Sequence, residues 1–122
     1  MSDSDINFEK GMMVCNRPDR DIVARCQALC SLAERYDFLG TVVAVHSNAP
    51  DLLQIVRRVL QGFEVDNAGV RQESASFYLC YDRARGRPYR AANQAGHYAE
   101  APRWQPVLSY LLSMVHNHIW AS

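Results

Sequence analysis

Lysine is almost absent from this chain: Lys10 stands alone against twelve arginines. A phosphate-binding P-loop needs Gly-x-x-x-x-Gly-Lys-Ser/Thr, and Lys10 lies in no such context, so nucleotide binding of that kind is not expected. No run approaches the roughly 18 apolar residues that a membrane span requires, and the N-terminus carries no basic-then-apolar signal segment. Net charge is lacking too. Thirteen acids balance thirteen bases, which argues against a dedicated nucleic-acid binder. The four cysteines, Cys15, Cys26, Cys30 and Cys80, are spread through helix-like and strand-like positions. With no signal segment beside them, they point to reduced thiols in a cytoplasm.

Apolar residues make up 48% of the 122 positions, enough for one domain with a core that needs no metal or disulfide staple. Residues 1–15 read as a flexible or docking N-terminal segment and residues 16–122 as a single α+β domain. Met12-Met13-Val14-Cys15 suits either an edge strand or a docking segment. The clearest local pattern runs from Thr41 to Val65. Thr41-Val42-Val43-Ala44-Val45 is a β-branched run fit for a buried strand. Asn48 caps a following helix, with Pro50 and Asp51 in its first turn. Gly62 occupies a left-handed C′ position, and Phe63-Glu64-Val65 begins another strand.

Elsewhere the spacing of Ile22, Cys26, Leu29, Ala33 and Tyr36 predicts one helix from the Asn16-Arg17-Pro18-Asp19 start to about Tyr36. Asp66-Asn67-Ala68-Gly69 is turn chemistry, and Ser74 to Asp82 alternates as a strand. Arg83 to Arg87 forms a hairpin loop returning through Pro88 to Ala92. Residues 93–103 read as irregular, and Pro106 opens a last helix through Leu108, Leu111, Leu112, Val115 and Ile119. The expected order is α-β-α-β-β-β-α: a small, mostly antiparallel sheet with two or three helices packed on it.

No catalytic constellation emerges, and no cofactor or metal is expected. Cys26, Cys30, His116 and His118 make a zinc set on paper. Structural zinc sites, however, take paired cysteines from tight turns, and Cys26 belongs to the buried stripe. His46 ends a central strand beside a helix start, where α/β proteins often hold ligands; with Asn48 it is a candidate ligand-binding pair. Charge is unevenly placed: residues 83–122 hold five arginines and one acid, Glu100. Arg83, Arg85, Arg87 and Arg90 lie among Tyr81, Tyr89 and Tyr98, a mixture that grips phosphate or stacks on flat groups. The plain alternative is a solvated turn whose arginines discourage edge pairing. As a partner surface, the set is Arg83, Arg85, Arg87, Tyr89 and Arg90.

Two segments carry a family resemblance: Val43-Ala44-Val45-His46-Ser47-Asn48-Ala49-Pro50-Asp51-Leu52-Leu53 and Leu111-Leu112-Ser113-Met114-Val115-His116-Asn117-His118-Ile119-Trp120-Ala121-Ser122. They resemble the small N-terminal domain of HPr serine kinase-related proteins, in which a strand leads to a Ser-Asn-x-Pro-like helix start and a later Leu-Leu helix. The resemblance covers about two thirds of the chain, from Val43 onward, and brings no ATP-binding or catalytic residue with it. It implies a non-catalytic, partner-binding or regulatory domain of a kinase-like system. The expected function is therefore non-enzymatic protein or peptide binding, with a homodimer as one form of partnership. The competing expectation is a small ligand-binding protein or enzyme with its pocket near His46 and the 83–90 hairpin.

Overall fold

A computed structural model describes residues 12–15, 17–63, 75–84 and 86–121. Six strands and three helices occur among them in the order β1 (Met13–Cys15), α1 (Arg20–Leu29), β2 (Leu32–Phe38), β3 (Thr41–Ser47), α2 (Pro50–Val59), β4 (Ala75–Tyr81), β5 (Tyr89–Asn93), β6 (Tyr98–Ala101) and α3 (Trp104–Ala121). They form one sheet in the order β1-β6-β5-β4-β3-β2. Only the β3–β4 pair is parallel, joined through α2; the other pairs are antiparallel. This is the expected α+β class, with helices on both faces of the sheet.

Strand periodicity decides which face each side chain meets. Val43 and Val45 of β3, Phe77 and Leu79 of β4, and Ala91 and Ala101 of β5 and β6 turn to α2 and α3, where Leu52, Leu53, Val56, Val107, Leu111 and Val115 complete the larger core. Each fully buried Val or Leu side chain there contributes about 1.5–3 kcal/mol of transfer free energy. The alanines Ala91, Ala99 and Ala101 are wholly buried, and their small volume lets α3 lie close across β4, β5 and β6. The opposite face carries Cys80, Tyr78, Ala92 and Tyr98, covered by Ile22, Val23 and Cys26 of α1.

Several sequence expectations are corrected. The first helix stops at Leu29 instead of running on to Tyr36: its C-cap Cys30 has left helical geometry (φ −88°, ψ 106°). Leu32–Phe38 is a strand paired along its whole length with β3. The helical spacing of Ala33 and Tyr36 was coincidental, because Tyr36 is buried on the α2/α3 side and Cys26 under α1. A tight turn through Leu39 (φ 56°) and Gly40 (φ 103°) makes the β2–β3 connection, two consecutive positive φ values that match a type I′ hairpin.

The second correction concerns residues 93–103, which contain β6. Asn93 Oδ1 accepts the backbone N–H groups of Ala95, Gly96 and His97 at 3.0–3.1 Å, folding the loop back as a hairpin. Gly96 (φ 103°) then docks on α1, its carbonyl accepting Asp19 N–H at 3.1 Å. A Cβ at this position would meet Asp19 backbone atoms at 2.5–2.8 Å. The third concerns Asn48, which does not cap α2. The N-cap is Ala49, and no side chain bonds there; Asn48 is occupied with β4 instead.

Met13–Cys15 takes the edge-strand form, pairing with β6. Phe63 forms no strand, although its carbonyl accepts Asp37 N–H at 2.8 Å. The expected strand residues Glu64 and Val65, the Asp66–Gly69 turn, Ser74 and Arg85 lie outside the described residues.

Candidate functional site: the aromatic cleft and its buried ionic support

Strands β3 and β4 are parallel, so their carboxyl ends open on the same rim, as in many α/β sites. Asn48 closes that rim. Its Nδ2 donates to the Tyr81 carbonyl at 2.7 Å and its Oδ1 accepts Tyr81 N–H at 2.9 Å. The side chain thus extends the β3–β4 ladder one step beyond the strand end. Ser47 supports it from below, its Oγ donating to the Leu79 carbonyl and accepting Ala49 N–H at 3.0 Å.

Above Asn48 lies a cleft of about 390 Å³ between the first turns of α2 and the start of α3. Leu52 and Ile55 form one wall and Trp104 the other. Tyr81 and Tyr89 form the floor. They face each other across the β4–β5 ladder, with ring centroids 5.1 Å apart and edge to face, the geometry aromatic pairs favour. Tyr81 is 37% exposed, and Tyr89 and Trp104 are half-buried. Asp51 is the carboxylate among the lining residues and sits in the first turn of α2, where a negative charge suits the helix dipole.

The arginine hairpin begins where Tyr81 ends. Asp82 closes it, donating its N–H to the Pro88 carbonyl at 2.7 Å and accepting Ala84 N–H on Oδ1 at 3.1 Å. Arg83 is exposed and Arg87 half-buried. Arg90 is no surface residue, which corrects its assignment to a partner face. It is completely buried and bridges two buried carboxylates, with Nη2 3.2 Å from Asp82 Oδ2 and Nε 3.0 Å from Glu100 Oε2. Its Nη1 reaches Cys26 Sγ at 3.7 Å. Arg25 of α1 takes both oxygens of Asp82 through Nε and Nη2.

This cluster balances two positive against two negative charges beneath α1. The Arg25 hydrogen bonds, then Ala84 N–H and Arg90, overcome burial and hold the Asp82 carboxyl well below the usual carboxylate range. Burial works against the Arg90 charge, but Cys26 and Glu100 outweigh it and raise its pKa. Arg25, Arg90 and Asp82 therefore stay charged, and their bonds, with that of Arg90 to Glu100, anchor the hairpin.

His46 lies apart from this cleft. Its ring stacks on Tyr78 at 5.1 Å, and Nε2 is 3.3 Å from Ser76 Oγ. Tyr78 in turn accepts from Gln27 of α1 at 3.1 Å, which places His46 on the α1 face while the aromatic cleft opens on the other. A shallow trough of about 570 Å³ runs along α3 past His97, Tyr110, Asn117 and His118. Gln94, also on its wall, already spends its side-chain oxygen on Ser76 N–H. His118 stands edge-on to Phe77 at 6.0 Å, and burial raises the Tyr110 pKa.

The paper zinc set does not converge. Cys26 is buried under α1, whereas His116 is exposed on α3, beside Trp120 at 5.8 Å. No group of three or more His, Cys, Asp or Glu side chains among the described residues is placed to hold a metal ion. No described helix is long and apolar enough to cross a membrane.

Trp104 and the cluster of Arg25, Asp82, Arg90 and Glu100 emerge only in the fold, although an aromatic next to Arg103 and the lone acid of the last third were their signals in the sequence. No family model, curated protein or solved structure matches this chain.

Proposed function

We propose that this chain is a non-enzymatic binding domain for a protein or peptide partner. Its docking surface is the aromatic cleft, and the occupant is an acidic segment carrying an apolar or aromatic anchor. The observation that supports this reading is the cleft itself: Tyr81, Tyr89 and Trp104 gathered over the apolar side of α2, partly open to solvent. Tyrosine and tryptophan offer large, rigid, amphipathic contact area and are enriched where binding energy concentrates.

Charge supports the acidic partner. The one acid of residues 83–122, Glu100, is buried against Arg90, so it does not offset the exposed Arg83 at the hairpin or the exposed Arg103 beside Trp104. Arg83 and Arg103 outnumber the exposed Asp51 on the cleft wall, and such a basic excess steers acidic partners while the apolar centre supplies affinity. A non-catalytic accessory domain of a kinase-like system, working in a reducing cytoplasm, would use such a surface to recruit its partner.

Selection of random peptides displayed against the full chain tests the reading. Enriched sequences are expected to combine Asp or Glu with an aromatic or leucine anchor. Trp104→Ala and Arg83→Glu should each weaken their binding about tenfold or more, and the exposed Arg83→Glu change should leave the melting temperature nearly unchanged. An unselective pool, binders indifferent to both substitutions, or a cleft occupied by a second copy of the chain would overturn it.

A further inference from the structure

All four cysteines belong to the core beneath α1, and two of them lie against each other. Cys26 and Cys80 are both fully buried, and their sulfurs lie 3.3 Å apart. Cys30, one helical turn beyond Cys26, closes α1 by donating its backbone N–H to the Cys26 carbonyl at 2.9 Å. Its side chain packs on the same cluster yet is only half-buried. All three are free thiols.

We propose that Cys26, Cys30 and Cys80 form an oxidation site that admits a hydroperoxide at Cys30 and stores the oxidation as a buried Cys26–Cys80 disulfide. The half-exposed sulfur and the close buried pair divide the work. Access and thiolate character decide where a thiol is first oxidised. The Cys26 thiol is held protonated by its hydrogen bond with Cys80 and by burial. The hydrogen bond with Cys26 lowers the Cys80 pKa, but the hydrogen bond with Cys30 and burial outweigh it and push it up to about 12. Neither buried thiol is suited to meet an oxidant from solvent. Cys30 is.

In the first step the Cys30 thiolate attacks one peroxide oxygen. An S–O bond forms, the O–O bond breaks, and the departing oxygen leaves as water after taking the proton that Cys30 released. Cys80 then attacks the Cys30 sulfenic sulfur. An S–S bond forms, the S–O bond breaks, and the Cys80 proton leaves with the hydroxyl as a second water. Finally Cys26 displaces Cys30 from the Cys80 sulfur and passes its proton to Cys30, which becomes a free thiol again. Two thiols have been oxidised to one disulfide, and one hydrogen peroxide has been reduced to two waters. The Arg90 guanidinium, 3.7 Å from Cys26 Sγ, stabilises the negative charge that grows on Cys26 as its proton departs.

The test uses the full reduced chain, hydrogen peroxide as the oxidant, alkylation of the remaining thiols, and mass spectrometry of a non-reduced digest. The wild type should lose two of its four thiols and yield a peptide linking Cys26 to Cys80, with Cys15 still alkylated. Cys30→Ser, a change at a half-exposed helix end, should fold normally by circular dichroism. It should form the same link about tenfold more slowly or less, because the buried pair has lost its accessible entry. Four intact thiols after peroxide treatment would overturn the proposal, as would a link through Cys15, links between chains, or an unchanged rate in Cys30→Ser.

Discussion

Arg90→Met is the perturbation that bears hardest on the buried support of the hairpin. Arg90 is completely buried and is held by Asp82 at 3.2 Å and Glu100 at 3.0 Å. Methionine fills much of the same space but removes the cation that both carboxylates share. Breaking a buried ion pair from one side costs about 3–5 kcal/mol, because a desolvated charge loses its counter-ion. For a chain of this size that corresponds to a fall in melting temperature of roughly 10 °C or more. A second variant makes the test specific. Adding Glu100→Gln to Arg90→Met removes one uncompensated charge and should recover part of the loss, with a coupling energy of about 0.5–3 kcal/mol. Urea unfolding of the wild type, both single variants and the double variant, followed by far-UV circular dichroism, supplies the whole cycle. An Arg90→Met loss below about 1 kcal/mol, the scale of an exposed pair, would refute the buried network. So would strictly additive single variants.

Acid should dissolve the same network. The folded Asp82 pKa is depressed, so its stabilisation is fully present above the unfolded carboxylate value of about 3.9 and is lost as pH falls through the folded value. The melting-temperature gap between wild type and Asp82→Asn should hold steady from about pH 5 to 8 and close on acidification below about pH 4; a gap that grows in acid would reverse the sign of the argument. Gly96→Ala should destabilise markedly, since its Cβ would enter the Asp19 backbone at 2.5 Å and the residue already sits at φ 103°. Thermal melts will show this, and an unchanged Tm would mean that the β5–β6 hairpin does not hold the start of α1.

Legibility in the sequence followed how local each signal was. The β3–α2 unit was readable because β-branched residues, Pro50 and the apolar face from Leu52 to Val56 all act within a few positions of one another. The end of α1 was not, for no glycine or proline marks Cys30, and Ile22, Cys26, Leu29, Ala33 and Tyr36 keep helical spacing across it. Pairing of Leu32–Phe38 with β3 overrode that periodicity. Strand β6 was hidden by Gly96 and by alanines, which have poor strand propensity but fit beneath α3. The site was legible only at its edge. The tyrosines and arginines drew attention to the hairpin, yet Arg90 reads like its neighbours until β5 and β6 bring it against Glu100. The Arg25–Asp82 pair spans 57 residues, a contact that only the folded chain reveals.

The docking account is tested most directly by amide chemical-shift mapping of the isotope-labelled full chain against a selected acidic peptide with an aromatic or leucine anchor. The predicted shifts cluster at Asn48 to Ile55, at Tyr81 to Arg83, at Tyr89 and at Trp104, with little change along His97, Asn117 and His118. Shifts centred on the α3 trough, or scattered without a focus at the cleft, would contradict it.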